Sequence, residues 1–128
     1  MLPNHFTLEE LNQFTGSEEI FQYWGNKRFV YTQGIQYLAN KAKCYWLIDE
    51  IGLILLPRLL KEHLDRFYAI QLSVNPDSSA VITVDDGNGN IYLNHRIDWT
   101  TFPITDQPVK LLLCDSGTYY CLMLPGEY

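Results

Sequence analysis

The sequence predicts an α+β fold, with N-terminal helices packed on an antiparallel β-meander of about four or five strands. Three observations predict it. Apolar residues recur at helical spacing as far as Leu64; from Phe67 the apolar period drops to two; and clusters of Gly, Pro, Asn, Asp and Ser divide residues 67–124 into short runs. Helices first and strands after them segregate into an α+β arrangement.

Thr7 opens the first helix, with Glu10 three residues on in a capping-box pattern. Leu8, Leu11 and Phe14 form its apolar face, and Gly16 supplies the stop. Ser17 to Asn26 holds Ile20, Phe21, Tyr23 and Trp24 and is read as a short helix or irregular aromatic segment. Arg28 to Thr32 suits a small strand. Gly34 to Lys43 suits a short helix that ends near Asn40. A further helix starts between Ala42 and Tyr45. Its residues Trp46, Leu47, Ile48, Ile51, Leu53, Ile54 and Leu55 go nearly all the way round, which predicts an enclosed helix. Pro57 either kinks it or opens a new turn through Leu59, Leu60 and Leu64, with Arg58, Lys61, Glu62 and Asp65 in water.

In the first strand of the meander Tyr68, Ile70, Leu72 and Val74 face one way, with Ala69, Gln71 and Ser73 behind. A turn at Pro76-Asp77-Ser78-Ser79 leads to a strand over Ala80 to Asp85. Asn88-Gly89 then signals a two-residue type I′ hairpin, which places Asp86 opposite Ile91, Val84 opposite Leu93 and Ile82 opposite His95. Ile91, Leu93, His95, Ile97 and Trp99 share one face of the returning strand; Tyr92, Asn94, Arg96 and Asp98 share the other. Pro103 and Pro108 mark an unpaired connection. The last hairpin, Val109 to Cys114 and Thr118 to Leu124, is apolar on both faces, which predicts a central or doubly covered position.

At 128 residues the chain is read as one α+β domain, residues 1–128, that needs no staple. It is 47% hydrophobic and 14% aromatic, too rich in core-formers for disorder. Nine Lys and Arg against fifteen Asp and Glu give a net charge of −6, which argues against nucleic acid and against an anionic membrane as partners. The stretch Cys44–Leu60 is apolar, but Asp49, Glu50, Pro57 and Arg58 make it a poor membrane span. Met1 to His5 has neither the basic nor the apolar region of a secretory signal. Three cysteines without metal spacing predict reduced thiols and a cytoplasmic setting. A two-residue Ser116-Gly117 loop would set Cys114 and Cys121 diagonally, unsuited to a disulfide.

No chemistry announces itself. Asp86, Asn88 and Asn90 have the odd spacing of a calcium loop, but Ile91 and Ile97 stand where its glycine and glutamate belong. Gly87 and Gly89 follow two acidic residues and open no helix, so a phosphate loop is excluded. His95 lies on an apolar strand face without metal-ligand spacing to His5 or His63, and is read as a hydrogen-bonded core residue. No Gly-x-Ser-x-Gly elbow occurs; Cys44 has no nearby histidine, and Ser17 and Ser116 have no base partner in sequence. No cofactor or metal is expected. Asp49 and Glu50 stand out, because an unpaired carboxylate in so apolar a segment costs several kcal/mol. Adjacent helical residues point about 100° apart, so the two do not converge unaided. The bland reading puts one at the solvent edge and pairs the other with Arg28, Lys43 or a backbone amide.

The blocks Phe14-Thr15-Gly16, Tyr31-Thr32-Gln33-Gly34-Ile35-Gln36-Tyr37-Leu38, Tyr45-Trp46-Leu47-Ile48-Asp49-Glu50-Ile51 and Asp86-Gly87-Asn88-Gly89-Asn90, with the ending Leu122-Met123-Leu124-Pro125-Gly126-Glu127-Tyr128, carry a resemblance. The chain resembles a family of small bacterial proteins of unknown function associated with plasmids, phages and other mobile elements. That resemblance implies no activity, and it favours an accessory or anti-defence protein that binds a host component. The net charge of −6, nine tyrosines, three tryptophans and the two-sided apolar terminal hairpin predict a small acidic non-catalytic binding protein acting through protein–protein contact or self-association. The alternative is a small-molecule binder or enzyme with a pocket between helices and sheet, lined by Tyr31, Trp46, Asp49 and Glu50.

Overall fold

The computed structural model describes residues 6–15, 19–105 and 107–128. Gly16, Ser17 and His5, which entered the expectations above, lie outside the described residues. A six-residue 3₁₀ helix, Leu8–Gln13, precedes strands β1 (Ile20–Gln22) and β2 (Phe29–Thr32). Helices α1 (Gln33–Lys41), α2 (Tyr45–Asp49) and α3 (Leu56–Glu62) follow, with a π-helical segment, Glu50–Leu55, joining the last two into one run. Strands β3 (Phe67–Val74), β4 (Ala80–Asp85), β5 (Ile91–Ile97), β6 (Val109–Asp115) and β7 (Tyr120–Met123) lead to a closing 3₁₀ turn, Pro125–Glu127.

The α+β class holds, but the sheet is larger than four or five strands and is not a pure meander. Its seven strands run in the order β1-β2-β7-β6-β3-β4-β5, and β2 pairs with β7 in parallel. Two short strands from the aromatic N-terminal stretch account for the difference. Ile20–Gln22, read from sequence as helical or irregular, is an edge strand on β2. The β6–β7 hairpin lies at the centre of the sheet, as its two apolar faces predict.

The helices cover one face. Phe29, Tyr68, Ile70, Leu72, Ile82, Val84, Leu93, Leu111, Leu113, Tyr120 and Leu122 meet Ile35, Leu38, Leu47, Ile48, Ile51, Leu55, Leu56 and Leu59 in one core. Thr32 caps α1 by accepting the Ile35 N–H at 3.3 Å. Lys43, at φ 56°, turns the chain after α1, and the Cys44 N–H returns to the Ala39 carbonyl at 2.9 Å. That is a Schellman closure with a lysine where glycine is usual.

The run from Tyr45 to Glu62 is not enclosed. Leu53 and Ile54 are 44% and 48% exposed, so the helical run lies on the sheet with an outer apolar ridge. Its π-helical stretch resolves the Pro57 question. There the Leu56 N–H donates five residues back, to the Ile51 carbonyl. The next bond in that pattern would need an N–H from Pro57, which has none. The freed Gly52 carbonyl instead accepts from Asn26 Nδ2 at 3.3 Å. Gly52 also lets the run sit directly on β2, where a Cβ would fall 2.5 Å from the Phe29 ring.

Two turns differ from expectation. Val84 does oppose Leu93 and Ile82 does oppose His95, but Asp85, not Asp86, opposes Ile91. The loop has three residues, Gly87-Asn88-Gly89, closed by the Asp86 N–H on the Asn90 carbonyl at 3.2 Å. Positive φ occurs at Gly87 and Gly89 and not at Asn88, so the turn is not type I′. A bulge between Val84 and Asp85 absorbs the odd residue and restores the expected register beyond it. It leaves Ile91 exposed and turns Tyr92 to the helical side, where its ring stacks on His63 at 4.8 Å. The second difference is in the β6–β7 hairpin, whose loop is Gly117-Thr118, with the Ser116 N–H on the Tyr119 carbonyl at 2.9 Å. Cys114 therefore sits directly opposite Cys121, not diagonal to it; both are free thiols.

Candidate functional site

Asp49 and Glu50 are the last residue of α2 and the first of the π-helical segment, and they diverge. Asp49 is exposed and faces the β1–β2 end of the sheet, where its Oδ1 accepts the Tyr23 hydroxyl at 2.5 Å. Burial, reinforced by that bond and by the carboxylate charge, pushes the Tyr23 phenol up to about 12. Tyr31 belongs to the same end. Burial raises its phenol first, with Tyr45 and Asp49 adding to the effect. Phe21 packs on Tyr31 with ring centroids 5.6 Å apart, and Trp24, 83% exposed, leans on Tyr23 at 5.6 Å.

Glu50 points to the opposite end of the sheet, where its Oε2 lies 2.8 Å from His95 Nε2 on edge strand β5. Both side chains keep about a quarter of their surface exposed, at 26% and 24%. The carboxylate needs a partner, and it finds His95, not Arg28, Lys43 or a backbone amide. His95 in turn is hydrogen-bonded, as expected, but at the rim and not in the core. Beside this pair a cleft of about 260 Å³ is lined by Trp46, Glu50, Ile97, Trp99, Thr100 and Thr101. Trp99 is 68% exposed and borders the opening.

The four residues singled out in sequence thus separate into two pairs. Tyr31 and Asp49 lie at one end, and Trp46 and Glu50 share the cleft at the other. Trp99 completes that cleft and His95 holds Glu50 beside it, and the sequence reading joined neither to it. The available signal was the strand period, which put His95 and Trp99 on the helix-facing side, together with a carboxylate in need of a donor.

Two other titratable groups have structural duties. Burial pushes the Cys44 thiol up to about 12, so it stays protonated inside the core. The Asp86 carboxylate accepts from the Asn88 N–H, the Asn90 N–H and Asn90 Nδ2, which makes it a turn brace and not the start of a calcium loop. Among the described residues no three His, Cys, Asp or Glu side chains are grouped as metal ligands. A roomier groove, about 310 Å³, runs between Leu8, Leu11, Phe14 and Pro108, Val109, Leu124; Lys110 is the ionisable residue in its lining. It offers surface and little chemistry. No described helix is long and apolar enough to cross a membrane.

A crystal structure of a protein of unknown function from Enterococcus faecalis superposes with a TM-score of 0.54 at 19% identity, over 88% of this chain and 93% of that one. At that identity the likeness establishes a shared fold alone. No curated protein matches the chain. A family model does, from residue 5 to residue 128, and the chain therefore belongs to the family of unknown function DUF6876.

Proposed function

We propose that this protein is a non-catalytic binding protein that engages a basic segment of another protein, with the cleft at Trp46, Glu50 and Trp99 as its anchor point. The observation that carries the reading is two indoles and a carboxylate bordering one opening of about 260 Å³. That volume is below the roughly 300–1,000 Å³ of most small-molecule sites and suits a single inserted side chain. Indole faces and a carboxylate together favour a guanidinium or ammonium group. The net charge of −6 speeds encounter with a basic surface. The exposed Ile54, four residues after Glu50 on the same helical run, supplies an apolar flank of the kind that contact surfaces use.

A pocket shared by Tyr31, Trp46, Asp49 and Glu50 has less support, because the first and third lie away from the other two. The resemblance to proteins of plasmids and phages motivates a narrower form, in which the partner is a host or defence component; the genes beside this one test it. The direct test is affinity capture with wild-type protein, Trp99→Ala and Glu50→Gln, alongside light scattering. A partner rich in Lys and Arg, retained by wild type and lost by both variants at unchanged melting temperature, is the expected result. Capture that is indifferent to both variants, or a strict monomer that retains nothing specific, overturns the reading.

A further inference from the structure

We propose that Cys114 and Cys121 form a thiol–disulfide exchange site on the sheet face away from the helices. The argument starts from register. The two residues are directly opposed in the antiparallel β6–β7 ladder. Directly opposed residues in such a ladder have Cα atoms about 4.5–5.5 Å apart, inside the roughly 4.4–6.8 Å span that a disulfide bridges. Their side chains also leave the same face of the sheet. In β6, Val109, Leu111 and Leu113 are buried under the helices, which puts Lys110, Leu112 and Cys114 on the opposite side. Both cysteines are free.

The surroundings assign an order to the two thiols. Cys114 is half-buried and Cys121 is 7% exposed, so a small disulfide reaches Cys114 first. Burial holds both thiols above the usual cysteine range, Cys121 further than Cys114, and the Cys114 neighbour adds to the shift at Cys121. The shift slows attack; it does not change the geometry of closure.

The step balances with oxidised glutathione as the oxidant. The Cys114 thiolate attacks one glutathione sulfur, giving a mixed disulfide and one glutathione thiolate. The Cys121 thiolate then attacks the Cys114 sulfur, forming the cross-strand bond and releasing the second glutathione. The two cysteine protons end on the two glutathione molecules, and two electrons pass from the pair to the oxidant. Cys44 takes no part, being enclosed in the core on the helical side.

The experiment is oxidation of the full chain with excess oxidised glutathione under native conditions, followed by acid quench, denaturation, alkylation and mass measurement. The expected product is 2 Da lighter than the reduced protein and takes up one alkyl group, at Cys44. A peptide map joins the segments holding Cys114 and Cys121. Cys44→Ser closes as wild type does, while Cys114→Ser and Cys121→Ser do not lose the 2 Da. Persistent alkylation at both residues, stable glutathione adducts without closure, or a bridge to Cys44 would each overturn the assignment. The wild-type peptide map decides the matter even where a serine variant fails to fold.

Discussion

Replacing Gly52 with alanine tests whether the helical run rests on β2 as closely as described, because two effects of opposite sign compete there. Alanine is the better helix former by about 1 kcal/mol, so a helix lying loosely on the sheet would be stabilised. In the observed packing the new methyl would fall 2.5 Å from Phe29 Cδ2 and 2.7 Å from Cε2. Ordinary carbon–carbon contacts sit near 3.5–4.0 Å, so something must move by about 1 Å. The Phe29 ring is fully buried and cannot swing into solvent. Overpacking of this kind costs about 1–3 kcal/mol, and the upper part of that range applies where a helix backbone meets an enclosed ring. The balance is a net loss of about 1–2 kcal/mol. For a chain of this length that corresponds to a melting temperature lower by roughly 3–10 °C. Urea unfolding of wild type and variant at constant m-value measures it. A companion Phe29→Leu opens space, so the double variant should lose at least about 0.5 kcal/mol less than the two single losses summed. A Gly52→Ala protein as stable as wild type, or strict additivity with Phe29→Leu, refutes the close seat of the run on Phe29.

Three further outcomes are expected. Lys43→Gly should raise stability by about 0.5–1 kcal/mol in urea, since a lysine at φ 56° carries a left-handed strain that glycine relieves; a loss would refute the Schellman reading. Glu127→Ala should cost about 1–3 kcal/mol, because its carboxylate accepts from the Thr32 hydroxyl at 2.7 Å, the Leu124 N–H at 3.0 Å and the Gly34 N–H at 3.2 Å; loss of less than about 0.5 kcal/mol would show that the C-terminal turn is not tied to α1. The third concerns acid. The Tyr92 hydroxyl, followed by the Arg66 N–H, holds the Asp65 carboxyl below its usual range. A carboxyl that binds its proton less readily when folded stabilises the protein above the ordinary carboxylate range, and that contribution disappears as pH falls through the lower folded value. Tyr92→Phe should therefore raise the Asp65 titration midpoint in carbon-detected NMR, and the stability gap to wild type should narrow between neutral pH and pH about 3. An unmoved midpoint contradicts the assignment.

What the sequence discloses is set by the range of each interaction. The outer meander is legible because its information is local. Tyr68, Ile70 and Leu72 alternate, and Val84 meets Leu93 across a nearby turn. The parallel pairing of β2 with β7 joins residues some ninety positions apart and leaves no trace in either segment. Ile20–Gln22 is too short for a period to be read and becomes a strand only because β2 lies beside it. Turn chemistry was legible in part. Gly117 has positive φ and Thr118 does not, the pattern of a II′ turn with glycine first. Reading glycine as the first loop residue rather than the second moves the register by two and brings the cysteines together. At Gly87-Asn88-Gly89 the loop length and the bulge err by one residue in opposite directions. The inner register was right for a reason that the turn itself did not supply.

The candidate site follows the same division. That Asp49 and Glu50 must diverge is fixed by helical geometry, and divergence is what makes the two ends of the run different in kind. One end meets phenols, Tyr23 and Tyr31, which bury a carboxylate's neighbours without adding charge. The other meets an imidazole, His95, and two indoles. Asp49 is itself exposed to water, and the Tyr23 hydroxyl that bonds it brings no opposite charge. At the Glu50 end the His95 ring, 2.8 Å away, orients the carboxylate, and two indoles border the same opening and shelter it from solvent. Sheltered charge is worth more to an incoming cation than exposed charge, because less water screens it. The same two acidic residues that look like a pair in sequence therefore differ in their surroundings, which is why the half-buried one is the anchor proposed above.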